Sequence, residues 1–81
     1  MLVKFFIKPR KGVLDPQGRA VSENLKSLGF DNVGKVFVGK YIEVYIDEND
    51  KEKAKKQAVE MAKKALVNDL IEDFEFEIVE D

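Results

Sequence analysis

Apolar residues recur along this chain with two different periods. Val3, Phe5 and Ile7 fall on every second position near the start, Ile42, Val44 and Ile46 in the middle, and Phe74, Phe76 and Ile78 near the end. A period of two marks a half-buried strand, and it predicts strands over 2–8, 41–47 and 74–79. Pro9 ends the first of them. Residues 33–38, Val-Gly-Lys-Val-Phe-Val, read as a further strand joined to the next through Gly39-Lys40. A two-residue Gly-X loop favours a tight type II′ hairpin. Between these runs the period lengthens. Val21, Leu25 and Leu28 stand at i, i+4 and i+7, predicting a helix over 16–28 with those three as its buried stripe. Ala54, Ala58, Met61 and Ala65 share one face of a second helix over 50–67, and Glu52–Lys56 and Glu60–Lys64 form i,i+4 pairs elsewhere on it.

The boundaries carry their own chemistry. Asp15 is suited to cap the first helix, and Pro16, followed by Gln17, has no amide to leave unpaired. Gly18 costs that first turn roughly 0.5–1 kcal/mol relative to alanine, so close approach by another backbone is the expected reason for it. Gly29 is placed for a left-handed helix ending that lets Phe30 fold back towards Leu25, and Asn68 is a plausible end for the second helix. The order βαββαβ predicts an α+β chain of ferredoxin-like layout over 1–81, an antiparallel sheet with two helices on one face.

Register turns this layout into surfaces. In a two-residue hairpin Val38 opposes Tyr41, Phe37 opposes Ile42 and Val36 opposes Glu43. Phe37 then joins the helix-covered face. The other face receives Leu2, Lys4, Phe6, Val36, Val38, Tyr41, Glu43, Tyr45, Glu75 and Glu77. A sheet face without helices should be polar where it meets water. Phe6, Val36, Val38, Tyr41 and Tyr45 make this one too apolar, which points to a protein interface, most simply self-association through the sheets.

Composition removes whole classes of function. The 81 residues include no cysteine and no histidine, so disulfides, thiolate metal sites, cysteine nucleophiles and the commonest general base are all missing. Net charge is −2, which argues against nucleic acid or an anionic membrane as partner. No run approaches a membrane span and no signal-peptide pattern is present, so a cytoplasmic protein is expected. Charge is also segregated. Residues 1–12 hold Lys4, Lys8, Arg10 and Lys11 without an acid, and residues 69–81 hold seven acids, Asp81 the last, without a base. If the last strand lies beside the first, Lys4 and Lys8 face Glu75 and Glu77.

Asp69, Glu72 and Asp73 are the one cluster that could suggest a cation, but their spacing matches no calcium loop. Ser22 and Ser27 have no histidine to activate them. Gly39-Lys40 lacks the glycine-rich extension of a phosphate loop. Two further readings stay open at this point. Aromatic residues on an open ferredoxin-like sheet could stack RNA bases, although Gly39–Glu43 does not reproduce the expected ribonucleoprotein pattern. A small-molecule regulatory module would place a ligand loop at Gly12–Gly18.

The stretch Val13-Leu14-Asp15-Pro16-Gln17-Gly18, the Val38-Gly39-Lys40-Tyr41 turn and the run Asn68-Asp69-Leu70-Ile71-Glu72-Asp73-Phe74 together resemble the PurS family. Its members are the small subunits of multi-subunit phosphoribosylformylglycinamidine synthase, and the likeness runs from Val3 to Glu77. The chain departs from the family's usual pattern at Phe37, at Met61-Ala62 and at Asp69. The resemblance implies a non-catalytic subunit, a homodimer or homotetramer, that joins a glutaminase to an ATP- and Mg-using synthetase and binds no cofactor or metal itself. It implies that Asp15–Gly18, Gly39-Lys40 and Asn68–Asp73, Ile71 and Glu72 included, are contact surfaces, as is the open sheet face.

Overall fold

Alternating side chains need a ladder to bury one of their faces, and the first strand supplies its centre. The computed structural model describes residues 1–80. Strand β1 (Leu2–Pro9) is followed by helix α1 (Pro16–Ser27) and strand β2 (Lys40–Tyr45). Helix α2 (Lys51–Met61) runs into a π-helical turn (Ala62–Leu66), and strand β3 (Glu72–Val79) completes the order. The sheet has the order β2-β1-β3 with both pairings antiparallel. The α+β arrangement of helices and antiparallel sheet is the one expected, and the last strand does lie beside the first.

Val3, Phe5 and Ile7 are buried beneath Ala58, Ala62 and Val67, with Ile42, Val44, Phe74, Phe76 and Ile78 packed around them. Alanines on α2 let the helix sit close to the aromatic and branched residues of the sheet. The second helix does not run as a single α-helix to residue 67. The Val67 amide donates to the Ala62 carbonyl, an i→i−5 bond of 2.9 Å, and the wider turn brings Val67 into the core while Ala65 faces water. Strand-to-strand charge matching is also adjusted: Lys4 opposes Glu77 as expected, but Lys8 opposes Asp73, and Glu75 stands beside Phe6.

The main difference lies at residues 33–39, which join no ladder among the described residues. Val38 does not pair with Tyr41, nor Phe37 with Ile42, nor Val36 with Glu43, and Tyr41 instead opposes Phe6. The physical reason is local. A type II′ hairpin needs a positive φ at its glycine, and positive φ occurs at Gly12 and Gly29 but not at Gly39. The chain therefore passes through Gly39 without turning back. Gly39 is crowded for a different reason: a Cβ there would come within 2.3 Å of the Ile7 carbonyl oxygen. Phe37 is consequently exposed and not on the covered face.

Helix α1 ends as its sequence implies. Gly29 has φ +100°, its amide donates to Lys26 and the Phe30 amide to Leu25, both at 3.1 Å. Its apolar stripe is another matter. Val21 and Leu28 remain 41% and 66% exposed, and Leu25 is only half-buried. The helix and residues 33–38 thus form an arm beside the sheet. The radius of gyration is 16.1 Å, against about 12 Å for a compact chain of this length.

Candidate functional site

The arm is held together at its backbone. The Asp15 carboxylate accepts from the Gly18 amide at 3.0 Å and, with its other oxygen, from the Val38 amide at 2.9 Å. These two amides hold its pKa below the ordinary 3.8, Gly18 contributing most. One turn further on, the Ser22 hydroxyl donates to the Gly34 carbonyl at 3.0 Å. Between them, Gly18 meets the Val36 carbonyl so closely that a Cβ would lie 2.0 Å from its oxygen. Asp15, Gly18 and Ser22 thus line one side of α1 and engage residues 38, 36 and 34 in turn. The glycine that weakens the helix is the one that admits the neighbouring backbone.

Successive residues of an extended segment present their backbone groups to opposite edges. With 34, 36 and 38 turned towards α1, those of Lys35 and Phe37 face away and make no hydrogen bond among the described residues. Among the described residues the outer edge of β2 is likewise unpaired. Beside the arm, Val13, Leu14, Val36 and Phe37 help line a groove of about 1080 Å³.

A second cluster closes one end of the sheet. Lys40 and Glu72 reach across the end of β1 to pair at 3.3 Å, and Arg10 pairs with Asp73 at 3.2 Å. The Glu72 carboxylate also accepts from the Asn68 amide at 2.9 Å, and that amide, then Lys40, holds its pKa below the ordinary 4.5 against a partial desolvation. Asn68 in turn accepts the Ile71 and Glu72 amides on its carbonyl. Glu72 and Asp73, adjacent on β3, point to opposite faces and are held by different cations. Ile71 is exposed beside them.

The open sheet face is the third surface. Phe6 and Tyr41 stand side by side with ring centroids 5.2 Å apart. The Tyr41 hydroxyl donates to Glu43 at 2.7 Å, and this bond pushes its pKa up to about 12. Tyr45 is 72% exposed. Val36 and Val38, expected on this face, belong to the arm.

Comparison with known proteins now bears on what these surfaces serve. The sequence pattern of PurS, described as phosphoribosylformylglycinamidine (FGAM) synthase, matches residues 2–80. The chain belongs to the PurS family. It is 42% identical over 72 residues to the phosphoribosylformylglycinamidine synthase subunit PurS of Methanocaldococcus jannaschii, covering 89% of this chain and 87% of that one. Its fold is similar to that of Bacillus subtilis PurS, with a TM-score of 0.86, 38% identity and 98% of both chains covered. A chain of the PurLQS structure from Thermotoga maritima is similar too, with a TM-score of 0.80, 30% identity, and 95% and 96% coverage. The chain is thus a PurS-type subunit of a ligase that acts in purine biosynthesis.

The sequence pointed to Asp15–Gly18 and to Asn68–Asp73 as contact surfaces; within the chain each forms an organised polar junction. It did not point to Ser22 as a tether or to Arg10 and Lys40 as partners of β3. Ser22 does lie four residues after Gly18 on the same helical side, which is the one signal that could have found it.

Proposed function

We propose that this chain is the non-catalytic subunit that joins glutaminase to synthetase in phosphoribosylformylglycinamidine synthase. Ammonia released from glutamine passes within the assembly to formylglycinamide ribonucleotide, with ATP and Mg used at the synthetase and no cofactor bound by this chain. In the same proposal the chain works as a homodimer in the cytoplasm. Residues 33–38 of one copy lie along the free edge of β2 of the other, supplying the fourth strand that the single chain lacks, and the α1 stripe is covered by the second copy.

The observation that carries this reading is the arm: a regular apolar helix stripe and an unpaired strand edge left open beside a well-buried sheet core. Unpaired edges and exposed apolar stripes of this kind favour association over isolation. Reconstitution with purified glutaminase and synthetase tests it. Glutamine-dependent synthesis should require this protein, and synthesis from added ammonium should need it far less. Equal activity with and without it in both assays would remove the proposal.

A further inference from the structure

Two strand edges stand open among the described residues, and their backbone groups can be assigned one by one. Met1 and Ile46 exchange two hydrogen bonds. The Met1 ammonium donates to the Ile46 carbonyl and the Ile46 amide to the Met1 carbonyl, both at 2.8 Å. Bonded pairs alternate along an antiparallel ladder, so Val44, Ile42 and Lys40 also turn their backbone groups towards β1. Those of Tyr41, Glu43 and Tyr45 therefore face outward. On the arm the outward residues are Lys35 and Phe37, and the ladder they offer stops at Val33, whose amide donates to the Phe30 carbonyl. The arm and β2 run in one direction, because the chain passes Gly39 without turning back.

We infer that a second copy pairs with this edge in one register, with Phe37 opposite the second copy's Tyr41 and Lys35 opposite its Glu43. The inference rests on the proposed homodimer and names the residues that meet in it. Mutual pairing about a two-fold axis makes the two segments antiparallel, and a pair that exchanges both bonds needs outward-facing residues on each side. Slips of one residue are thereby excluded. A slip of two sets Lys35 opposite Tyr41 and Phe37 opposite Gly39, or Lys35 opposite Tyr45 and Phe37 opposite Glu43. A slip of four leaves most of β2 without a partner or carries Lys35 past its end. The inferred register sets ring against ring and ammonium against carboxylate within the strands, and it puts the axis at Gly39, where no side chain intervenes. It also completes two rows already begun on the sheet. Phe6 and Tyr41, with centroids 5.2 Å apart, gain a third ring from Phe37, which is 51% exposed in the single chain. Glu43, opposite Lys4 on one side, gains Lys35 on the other. Lys35 has no ion pair among the described residues.

The test uses the full chain, with self-association measured by sedimentation and dimer composition by native mass spectrometry after one variant is isotope-labelled. Lys35→Glu and Glu43→Lys should each weaken self-association about tenfold, since each sets two like-charge pairs across the dimer. Mixed in equal amounts, the two variants match both pairs in the mixed dimer and in neither homodimer. The mixed dimer should therefore associate within about threefold of wild type and exceed the half share of random mixing. Because the mixture contains the same chains that associate poorly alone, misfolding cannot mimic this rescue. A mixed dimer at the random share overturns the inference, and so do single variants that self-associate as wild type does. A wild-type chain that stays monomeric is a separate result: it leaves both edges to another subunit and overturns the proposed homodimer first.

Discussion

In the body of the molecule Val3 and Phe5 lose all their exposure to water and Ile7 retains 2%, whereas in the arm Val21 and Leu28, set at an equally regular spacing, keep much of theirs. Both patterns are plain in the sequence. The difference lies in what covers them. Two-residue periodicity in β1 meets matching strands on either side and an alanine-faced helix above, all supplied by the same chain. The α1 stripe meets no such surface among the described residues. Burying a Val or Leu side chain stabilises by about 1.5–3 kcal/mol, so the body accumulates that gain several times over. The arm is fastened to residues 33–38 by a few polar contacts, each adding on the order of 1 kcal/mol. A fold can therefore be complete in one region and await a partner in another.

The contrast is broken most severely from the body side. Phe5→Ala should destabilise the chain by about 3–5 kcal/mol in urea unfolding, because it empties a site with no exposure. Val21→Ala on the arm should change the unfolding of the dissociated chain by less than about 0.5 kcal/mol. Similar losses from both would mean that the arm is packed as the body is.

Gly18→Ala sharpens the account of the arm itself. The added methyl would have to displace the Val36 backbone, and the expected loss is about 1–3 kcal/mol. Faster hydrogen exchange at the Val38 amide would locate it. Gly34→Ala is the matched control: it adds a Cβ with nothing within 4 Å and should be close to neutral. Equal protection of Val38 in both variants would contradict the close approach as the reason for Gly18.

Acid should loosen both junctions. Asp15 and Glu72 have folded pKa values depressed below the ordinary 3.8 and 4.5. Each therefore adds stability that is present above its unfolded pKa and lost as pH falls through its folded one. Protection of the Val38 amide, taken relative to its intrinsic exchange rate, should fall below about pH 4, and Asp15→Asn should remove that dependence while leaving the Glu72 contribution in place. Little is also expected from the Lys40 side of the sheet-end bridge. Lys40→Met should cost about 0–1 kcal/mol in urea unfolding, since Lys40 is largely solvated. A larger loss would mean that the Lys40–Glu72 bridge is a main support of the sheet end.

Much of the body could be read from the sequence because its determinants are local or repeat every second residue. Strand faces, the Asp15 cap and the Gly29 ending all follow from such signals, and β3 lies beside β1 as the ferredoxin-like order implied. Gly18 was legible for a similar reason: a glycine in a first turn conflicts with helix propensity, and the conflict needed a cause. Gly39-Lys40 misled because one glycine serves two purposes that a sequence cannot separate, positive φ or close approach, and here it is the approach of Ile7 that counts. The π-helical turn at Ala62–Leu66 was not visible either. It satisfies Val67, whose burial depends on where the sheet lies and not on the helix's own period.

Sedimentation of the isolated chain across a wide concentration range, for wild type and for Val21→Asn/Leu28→Asn, tests the central claim most directly. The account predicts a wild-type species of twice the 9.3 kDa chain mass. In the variant that species should give way to single chains whose sheet and α2 keep their circular dichroism signature. A wild-type protein that stays a 9.3 kDa monomer at every concentration would contradict it.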